Sequence, residues 1–450
     1  MNDQEAVDLF KTLLKYRTIS GEGPVTGAYA ECAQFLKVEL ERHLKSCQVD
    51  IVEFVKNKPV VIATLMGQQP HLPSILLNAH YDVVPAQRDK WTREPFSATE
   101  EADGKIYARG TQDMKCVCAQ YISALSRLLA KDGRKNFKRT LHLSFVPDEE
   151  IGGMDGMNQM LNSELYNKRL VPIGVALDEG LANPQNAFTV FYGERCPLWI
   201  FVTVNGPTGH GSRFIEHTAV ERLLKICSKA TEFRKREEEI FRGKRASDGC
   251  SHCEAKKLGD VTTLNITFLS SGVAMNAGKQ EFLDGEEKVS LNVIPTVAKA
   301  GFDMRIPPSV PVAAIKKMLD EWCEAEGATW RCAPWTDQSM KEHSSTSIDR
   351  QENPFWGCFQ DAIAEFGCKL EPEVFPAGTD SRFVRQMGIP AFGFSPMRNT
   401  PVLLHEHDEW LEKKVFVEGV HVYETLLLRL LEFDETEKER EDEKKRVKLS

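Results

Sequence analysis

The feature of this sequence that most constrains its fold is a series of apolar, strand-like runs that each end at side chains able to bind a metal ion. The runs and the residues that follow them are 74–79 with His80, 140–147 with the acids 148–150, 171–177 with Glu179, and 400–404 with His405. In an open α/β sheet the ligand crevice lies outside the carboxyl ends of the strands, so we expect these side chains to gather at one edge. Two imidazoles with four or five carboxylates suit a pair of divalent ions, because Zn²⁺ accepts nitrogen and oxygen ligands together. The pattern therefore predicts a two-metal hydrolase.

Strand and helix patterns alternate through about residue 193, which predicts an α/β catalytic domain with a mostly parallel central sheet. The pattern then changes to a strand, a helix, two strands and a second helix, which predicts an inserted α+β module of the ferredoxin-like kind. We expect a catalytic domain at residues 1–194, an inserted module at 195–340, the second part of the catalytic domain at 341–434, and a charged tail at 435–450. The insertion is inferred because His405 must return to the edge that holds His80.

Composition and charge limit the partners of this chain. Its 450 residues are 42% hydrophobic and 27% charged, as in soluble globular proteins of more than one domain. The formal net charge of −9 argues against nucleic acid and against an anionic membrane, because both bind concentrated Lys and Arg. The acidic N-terminus, the lack of a long apolar stretch and the 12 scattered cysteines lead us to expect a cytoplasmic protein with free thiols.

His80 is followed two residues later by a carboxylate, Asp82. A His-x-Asp tripeptide is a weak signal by itself, and most such matches have no chemical meaning. Here the histidine ends a strand-like run, and a carboxylate near a metal-bound histidine fixes its tautomer and raises its basicity. We therefore assign His80 to the metal and Asp82 to the orientation of His80.

Asp113 lies in a glycine-containing loop at the start of a predicted helix. The alternative role is that of a helix N-cap, for which Asp is favoured. One aspartate can also hold two metal ions about 3.5–4 Å apart through its two oxygens. Asp113 is therefore the candidate bridging ligand.

Three adjacent acids, Asp148, Glu149 and Glu150, follow the second apolar run. A solvated turn is the simpler explanation, but an apolar strand should bring these acids to the sheet edge, where cations would compensate them. Adjacent glutamates can then have different roles, with Glu150 as a metal ligand and Glu149 as the acceptor of a proton from the bound water. The pair Asp178-Glu179 repeats the arrangement, and the residues alone leave either acid as the ligand.

These motifs resemble the N-acyl-L-amino-acid amidohydrolases, or aminoacylases, of the co-catalytic zinc metallopeptidase family. The resemblance covers nearly the whole chain and is carried by 77–85 (LNAHYDVVP), 108–115 (ARGTQDMK), 145–153 (FVPDEEIGG), 176–180 (ALDEG), 209–214 (GHGSRF), 375–382 (FPAGTDSR) and 400–409 (TPVLLHEHDE). It implies hydrolysis of a small molecule, an N-acyl-L-amino acid, to a free L-amino acid and a carboxylate. It also implies a homodimer with two zinc ions per subunit, in which the inserted module is a lid and dimerisation domain.

The resemblance further implies a complete set of metal ligands. In this set His80 and Glu179 hold one zinc ion, Glu150 and His405 hold the other, and Asp113 bridges them. The choices of Glu179 over its neighbour and of His405 over the nearby second histidine come from the resemblance alone.

The resemblance also implies roles around the metal ions. Glu149 becomes the general base and Asp82 the orienting carboxylate. His210 from the lid of the partner subunit is implied to stabilise the oxyanion, and Arg305 and Asn292 to hold the substrate. Without the resemblance, His210 would be read as an ordinary turn residue and Arg305 as a surface charge.

One segment departs from the family pattern. Residues 276–291 stand between two stretches that the family joins directly, and their polar, glycine-containing composition predicts a surface loop or disorder. The departure makes Asn276 a rival to Asn292 for the substrate contact.

Two other functions compete with the aminoacylase prediction. The first is another enzyme on the same scaffold, a dipeptidase or a deacetylase of the acetylornithine type. The second is a metal-binding interaction protein that has lost catalysis, against which the intact Glu149 argues.

Overall fold

A computed structural model of the chain describes residues 1–243, 256–273, 289–333 and 344–434. The predicted tail 435–450 and the rival substrate residue Asn276 lie outside these ranges. Over its described residues the chain forms two compact units. The first contains Met1–Gly193, Ser344–Glu373 and Thr379–Ser450, and the second contains Glu194–His343 and Val374–Gly378. The role of the second unit as a lid and dimerisation domain stays a prediction.

The α-helices of the described residues are α1 (Asp3–Leu14), α2 (Gly23–Thr26), α3 (Ala28–His43), α4 (Lys115–Ala130), α5 (Met157–Leu161), α6 (Ala219–Phe241), α7 (Val312–Ala325), α8 (Pro354–Ala364), α9 (Ser381–Gln386) and α10 (Lys413–Glu432). A short 3₁₀ turn at Glu149–Ile151 carries two of the candidate site residues. Across the described ranges, no helix is both long and apolar enough to cross a membrane.

The strands are β1 (Gln48–Val55), β2 (Lys58–Leu65), β3 (Ser74–His80), β4 (Thr99–Glu100), β5 (Lys105–Tyr107), β6 (Leu141–Val146), β7 (Ile173–Asp178), β8 (Ala187–Glu194), β9 (Cys196–Asn205), β10 (Gly209–His210), β11 (Thr263–Ser271), β12 (Val293–Ile294), β13 (Val297–Ile306), β14 (Ala328–Cys332), β15 (Lys369–Phe375), β16 (Ala391–Phe394) and β17 (Trp410–Glu412).

An eight-stranded sheet, in the order β1-β2-β6-β3-β7-β16-β8-β15, forms the centre of the first unit. Its four central strands β6, β3, β7 and β16 run parallel. The strands β2 and β8 flank them in the antiparallel direction. The predicted α/β fold with a mostly parallel centre is confirmed.

Helices cover both faces of this sheet, which explains the continuous apolar runs in the sequence. Every residue of β3 and β6 is buried, as parallel strands between two helical layers require. On one face α1, α4 and α10 pack together, and the rings of Phe10 and Phe416 stack at 4.5 Å. On the other face α5 and α9 contribute Met157, Met160 and Val384 to a second apolar cluster. Because the central strands are parallel, their carboxyl ends meet at one edge.

The second unit is an α+β module. Its antiparallel sheet has the order β11-β13-β9-β14. The chain order is β9, α6, β11, β13, α7 and β14, which is the succession of a ferredoxin-like module. Burial alternates along β9, because one face of the sheet packs against the apolar sides of the helices.

Candidate dinuclear metal site

Three central strands deliver acidic and imidazole side chains to one edge of the sheet. His80 is the last residue of β3 and is 1% exposed. The turn with Glu149 and Glu150 follows β6, and Glu179 follows the last residue of β7. His405 comes to the same place from the segment before β17. The parallel topology therefore gathers the residues that the sequence predicted to meet.

Asp113 stands between the two histidines and directs one oxygen to each. Its Oδ1 lies 3.1 Å from Nε2 of His80, and its Oδ2 lies 3.2 Å from Nε2 of His405. Oε2 of Glu150 is 3.0 Å from the His405 nitrogen, and Oε2 of Glu179 is 3.4 Å from the His80 nitrogen. The predicted ligands thus form two groups that share one aspartate.

Ligand atoms also approach one another closely enough to hold metal. Potential ligand atoms of His80, Glu149 and Glu179 all lie within 4.8 Å of one another, and so do those of His80, Asp113 and Glu150. Glu149 is therefore close enough to His80 and Glu179 to be a ligand itself, and its role as proton acceptor stays a prediction. Among the described residues, Glu149 makes none of the side-chain hydrogen bonds or ion pairs that hold its two acidic neighbours.

Burial and mutual repulsion raise the pKa of three carboxyl groups. Burial and the charge of Asp113 raise the pKa of Glu150 to about 7. Burial, with Asp113 again, raises the pKa of Glu179 to about 8. Burial and the charge of Glu179 raise the pKa of Glu149 well above its usual value. Hydrogen bonds to Asp113 and Glu150 raise the pKa of His405 to about 10. A divalent cation would compensate this concentration of negative charge.

The donor set fits divalent metal ions. Imidazole nitrogen together with carboxylate oxygen is the mixture that ions such as Zn²⁺ accept. The Oε1 atom of Glu150 is buried and has no hydrogen-bond partner in the described part of the chain. Buried polar atoms without partners are rare in folded proteins, and a bound ion is one of their ordinary explanations.

Asp82 lies behind the cluster and connects two of its parts. Nδ1 of His80 lies 3.0 Å from the Asp82 backbone carbonyl and 3.5 Å from its carboxylate. The carboxylate itself accepts hydrogen bonds from the backbone N–H groups of Glu149 and Glu150, at 3.2 and 3.3 Å, and from the Ser20 hydroxyl at 2.7 Å. Asp82 therefore contacts both the histidine and the turn that carries the two glutamates.

Glu409, which holds the loop before Asp113, is not among the site residues predicted from the sequence. Glu409 is fully buried and accepts hydrogen bonds from the Arg109 guanidinium at 2.8 Å and from the N–H groups of Gly110 and Gln112 at 3.1 and 2.7 Å. It stands in the quoted motif 400–409, but nothing in the spacing distinguished it from its acidic neighbours.

Asp380 is likewise not among the site residues predicted from the sequence. This residue is 1% exposed, and within the described ranges neither of its carboxylate oxygens has a hydrogen-bond partner. A Cβ on Gly153 would lie 2.2 Å from Oδ1 of Asp380, and Gly153 has φ +62, so only glycine suits that position. Asp380 thus packs against the turn that follows Glu150.

The remaining predicted residues belong to the second unit. His210 lies in β10, is exposed, and has Nδ1 2.7 Å from the Ser212 hydroxyl. The Asn292 carbonyl accepts a hydrogen bond from Gly211 N–H at 2.7 Å, so Asn292 lies beside the His210 loop. Arg305 lies in β13 and does not join them.

The register of β9 and β13 separates Arg305 from His210. Arg305 pairs with Pro197, near the start of β9, whereas Val297 pairs with Asn205, its last residue. His210 follows that far end of β9 in the chain. The eight steps from Pro197 to Asn205 span about 27 Å at about 3.4 Å per residue. Within the second unit, Arg305 therefore lies near the start of β9, and the β10 strand of His210 follows the far end of β9.

The comparisons with known proteins identify the family. The sequence profile of the peptidase family M20/M25/M40 matches residues 76–429. The chain belongs to this family. It is a metal-dependent hydrolase of amide bonds, with the donor cluster described above.

Relatives within the family are similar over nearly their full length. The aminoacylase-1 of Dictyostelium discoideum is 42% identical over 435 residues, which cover 96% of this chain and 99% of that protein. The aminoacylase-1 of Homo sapiens is 40% identical over 430 residues, which cover 94% of this chain and 95% of that protein.

Solved structures share the fold at low identity. The metallo-carboxypeptidase Sso-CP2 of Sulfolobus solfataricus has a TM-score of 0.65 at 20% identity and covers 95% of this chain and 99% of its own. YXEP of Bacillus subtilis, described as a dinuclear metal binding peptidase, has a TM-score of 0.64 at 17% identity and covers 95% and 98%. This likeness is one of fold.

Proposed function

We infer that the chain is an N-acyl-amino-acid amidohydrolase, an aminoacylase that releases a free L-amino acid and a carboxylate. The observation that carries the substrate class is the 42% identity with an aminoacylase-1 over 96% of this chain. The geometry supports the reaction class, because a carboxylate oxygen of Glu149 lies within 4.8 Å of ligand atoms of His80 and Glu179, while its side chain makes no hydrogen bond or ion pair within the described ranges.

We assign two zinc ions to this cluster in each subunit. His80 and Glu179 would hold one ion, Glu150 and His405 the other, and Asp113 would contribute one oxygen to each. Bound in this way, such ions supply Lewis acidity toward the carbonyl and lower the pKa of water.

The side chains around the cluster then have separate tasks in catalysis. Glu149 accepts a proton from the water that attacks the amide carbon, and returns it to the nitrogen of the leaving amine. His210 donates a hydrogen bond to the oxygen that gains negative charge. The guanidinium of Arg305 pairs with the substrate carboxylate, while Asp303, 2.9 Å from its Nε, holds it in place. Asn292 is assigned to the substrate beside His210.

We propose a homodimer in which each active site receives residues from both chains. Arg305 and His210 are associated with opposite ends of β9, so we infer that one second unit does not place both on a single small substrate. His210 is therefore assigned to the site of the partner subunit. An exposed edge is available for assembly, because β11 is an edge strand whose Phe268 and Leu269 are 44% and 60% exposed. We place the enzyme in the cytoplasm, which the thiol form of cysteines such as Cys32, Cys116 and Cys118 supports.

Turnover of three substrates by metal-quantified protein tests this function. We expect N-acetyl-L-methionine to be hydrolysed faster than a dipeptide or N-acetyl-L-ornithine. Faster hydrolysis of the dipeptide would indicate a dipeptidase, and faster hydrolysis of N-acetyl-L-ornithine would indicate a deacetylase of the acetylornithine type. Absence of turnover on all three, with metal bound, would support an interaction protein.

A further inference from the structure

Asp148 is the one acid of the 148–150 run that points away from the metal cluster into a buried polar contact. Its side chain is 2% exposed. The Tyr29 hydroxyl donates a hydrogen bond to its Oδ1 at 2.7 Å, and Nζ of Lys58 forms an ion pair with its Oδ2 at 2.5 Å. Burial raises the pKa of Tyr29, so this hydroxyl stays protonated and acts as the donor.

The backbone of Asp148 has a conformation that needs such support. Its φ is +63, in the left-handed region that residues other than glycine rarely occupy. Such a strained conformation persists where surrounding contacts determine it. The Asp148 carbonyl also accepts a hydrogen bond from Gly153 N–H at 2.7 Å, which closes the turn.

Lys58 holds this turn at two points. Besides Asp148, its ammonium bonds the carboxylate of Asp155 at 2.6 Å, on the far side of the Glu149–Gly153 segment. Lys58 is the first residue of β2, a strand buried in the central sheet, so its backbone is fixed. Its side chain is 18% exposed, whereas that of Asp155 is 41% exposed. The pair with Asp148 is therefore the better shielded of the two.

We propose that Lys58 is a positioning residue for catalysis, which acts through Asp148 to fix the carboxylate of Glu149. Asp82 binds the backbone N–H groups of the turn from one side, and Lys58 with Tyr29 binds Asp148 from the other. Loss of the ammonium leaves a buried carboxylate without its cation and releases the turn. Lys58 touches neither substrate nor candidate metal ligand within the described residues, so its effect is on geometry. The proposal rests on the proposed function, because it assigns Glu149 the proton transfer.

The variant Lys58→Met removes the ammonium and keeps the length of the side chain. We expect kcat for N-acetyl-L-methionine to fall by about 10- to 100-fold, because displacement of a reacting group by about 1 Å costs on that order. KM and the metal content should stay close to those of the wild type. Lys58→Arg should restore most of kcat. Asp155→Asn is the matched control, because it removes only the exposed arm of the contact, and it should have little effect.

Hydrogen exchange gives a readout that does not depend on activity. The N–H groups of Glu149, Glu150 and Gly153 should exchange faster in Lys58→Met than in the wild type, because the turn opens more often. If Lys58→Met does not fold, Lys58→Gln removes the same charge but keeps a polar side chain, with the same expected signs. Unchanged kcat and unchanged exchange would overturn the proposal, and so would a loss of activity that follows loss of metal. A wild type without turnover would defeat the proposed function instead, and the exchange measurement would still decide the role of Lys58.

Discussion

Arg305 pairs with Pro197 near the start of β9, whereas His210 follows Asn205 at the other end of that strand, about 27 Å further along it at about 3.4 Å per residue. A small N-acyl amino acid cannot reach both residues of the same second unit. If both act on the substrate, they come from different chains. The register of two strands thus leads to a statement about assembly that can be tested with mixed dimers.

Mixed dimers of His210→Ala and Arg305→Ala chains should be active although each parent is impaired. One of the two sites then contains both intact residues and the other contains neither. Removal of a single oxyanion donor typically lowers turnover by about 10²–10³-fold, so the activity of the mixed dimer should be clearly higher than that of the His210→Ala parent. Glu149→Gln with His210→Ala should also recover, whereas Glu149→Gln with Arg305→Ala should not. No recovery in the first mixture, with mixed dimers demonstrated, would mean that one second unit supplies both residues.

His80→Ala should lose at least one metal ion. Its Nε2 lies within 3.4 Å of both Asp113 and Glu179, so removal of the imidazole opens the centre of the cluster. Elemental analysis of the purified variant measures the loss. His142→Ala is the control, because His142 is also buried on a central strand but contacts Thr64, at 3.0 Å. Two ions retained in His80→Ala would contradict the ligand assignment.

Glu409→Ala should destabilise the fold and weaken metal binding together. The pair of Arg109 with Glu409 is buried, with side chains 3% and 0% exposed, and removal of one partner of such a pair typically costs about 3–5 kcal/mol. Urea unfolding measures the change. The control Glu164→Ala removes one partner of the exposed pair Glu164–Lys168, and it should lower the free energy of unfolding by less than about 1 kcal/mol. Equal effects of the two substitutions would show that Glu409 does not organise the loop before Asp113.

The metal-free protein should become less stable as the pH rises from about 5 to about 8. The pKa of Glu150 is raised to about 7 and that of Glu179 to about 8, above about 4.3 for an unfolded glutamate. The folded state therefore binds these protons more tightly, and their contribution is present at low pH and lost through this window. The pKa of His405 is raised to about 10, so this group also makes the folded protein less stable as the pH rises towards that value.

Thermal unfolding in the presence of a chelator measures this slope. Added zinc should reverse it, because metal binding requires deprotonated carboxylates and neutral imidazole. Glu179→Gln removes one of the titrating groups and should flatten the slope of the metal-free protein. A metal-free protein whose stability rises through this pH range would contradict the electrostatic description of the site.

The sequence predicted the strands that hold the site because burial on both faces leaves a plain signal. Residues 74–80 and 141–146 form continuous apolar runs, and parallel topology then places their ends together. The direction in which each acid of the run 148–150 points could not be predicted in this way. That Asp148 turns to Tyr29 and Lys58, while Glu150 turns to His405, depends on side chains far away in the chain.

Long-range contacts also explain what was not predicted. Lys58 and Glu409 carry no local pattern, and each acquires its importance from a partner at least 90 residues away. The separation of Arg305 from His210 follows from strand register, which the sequence alone left open. Asp380 stood inside a recognised motif, but its burial without a partner became visible only in the folded chain.

The variant Glu149→Gln tests the central claim most directly. If Glu149 transfers protons without holding metal, this variant keeps both zinc ions and loses turnover by about 10²–10⁴-fold, the usual contribution of general acid–base catalysis. Glu150→Gln, one residue further in the same turn, should instead lose metal. Turnover of N-acetyl-L-methionine and elemental analysis on the same samples decide between the outcomes. Near-wild-type turnover by Glu149→Gln with both ions bound would contradict the account.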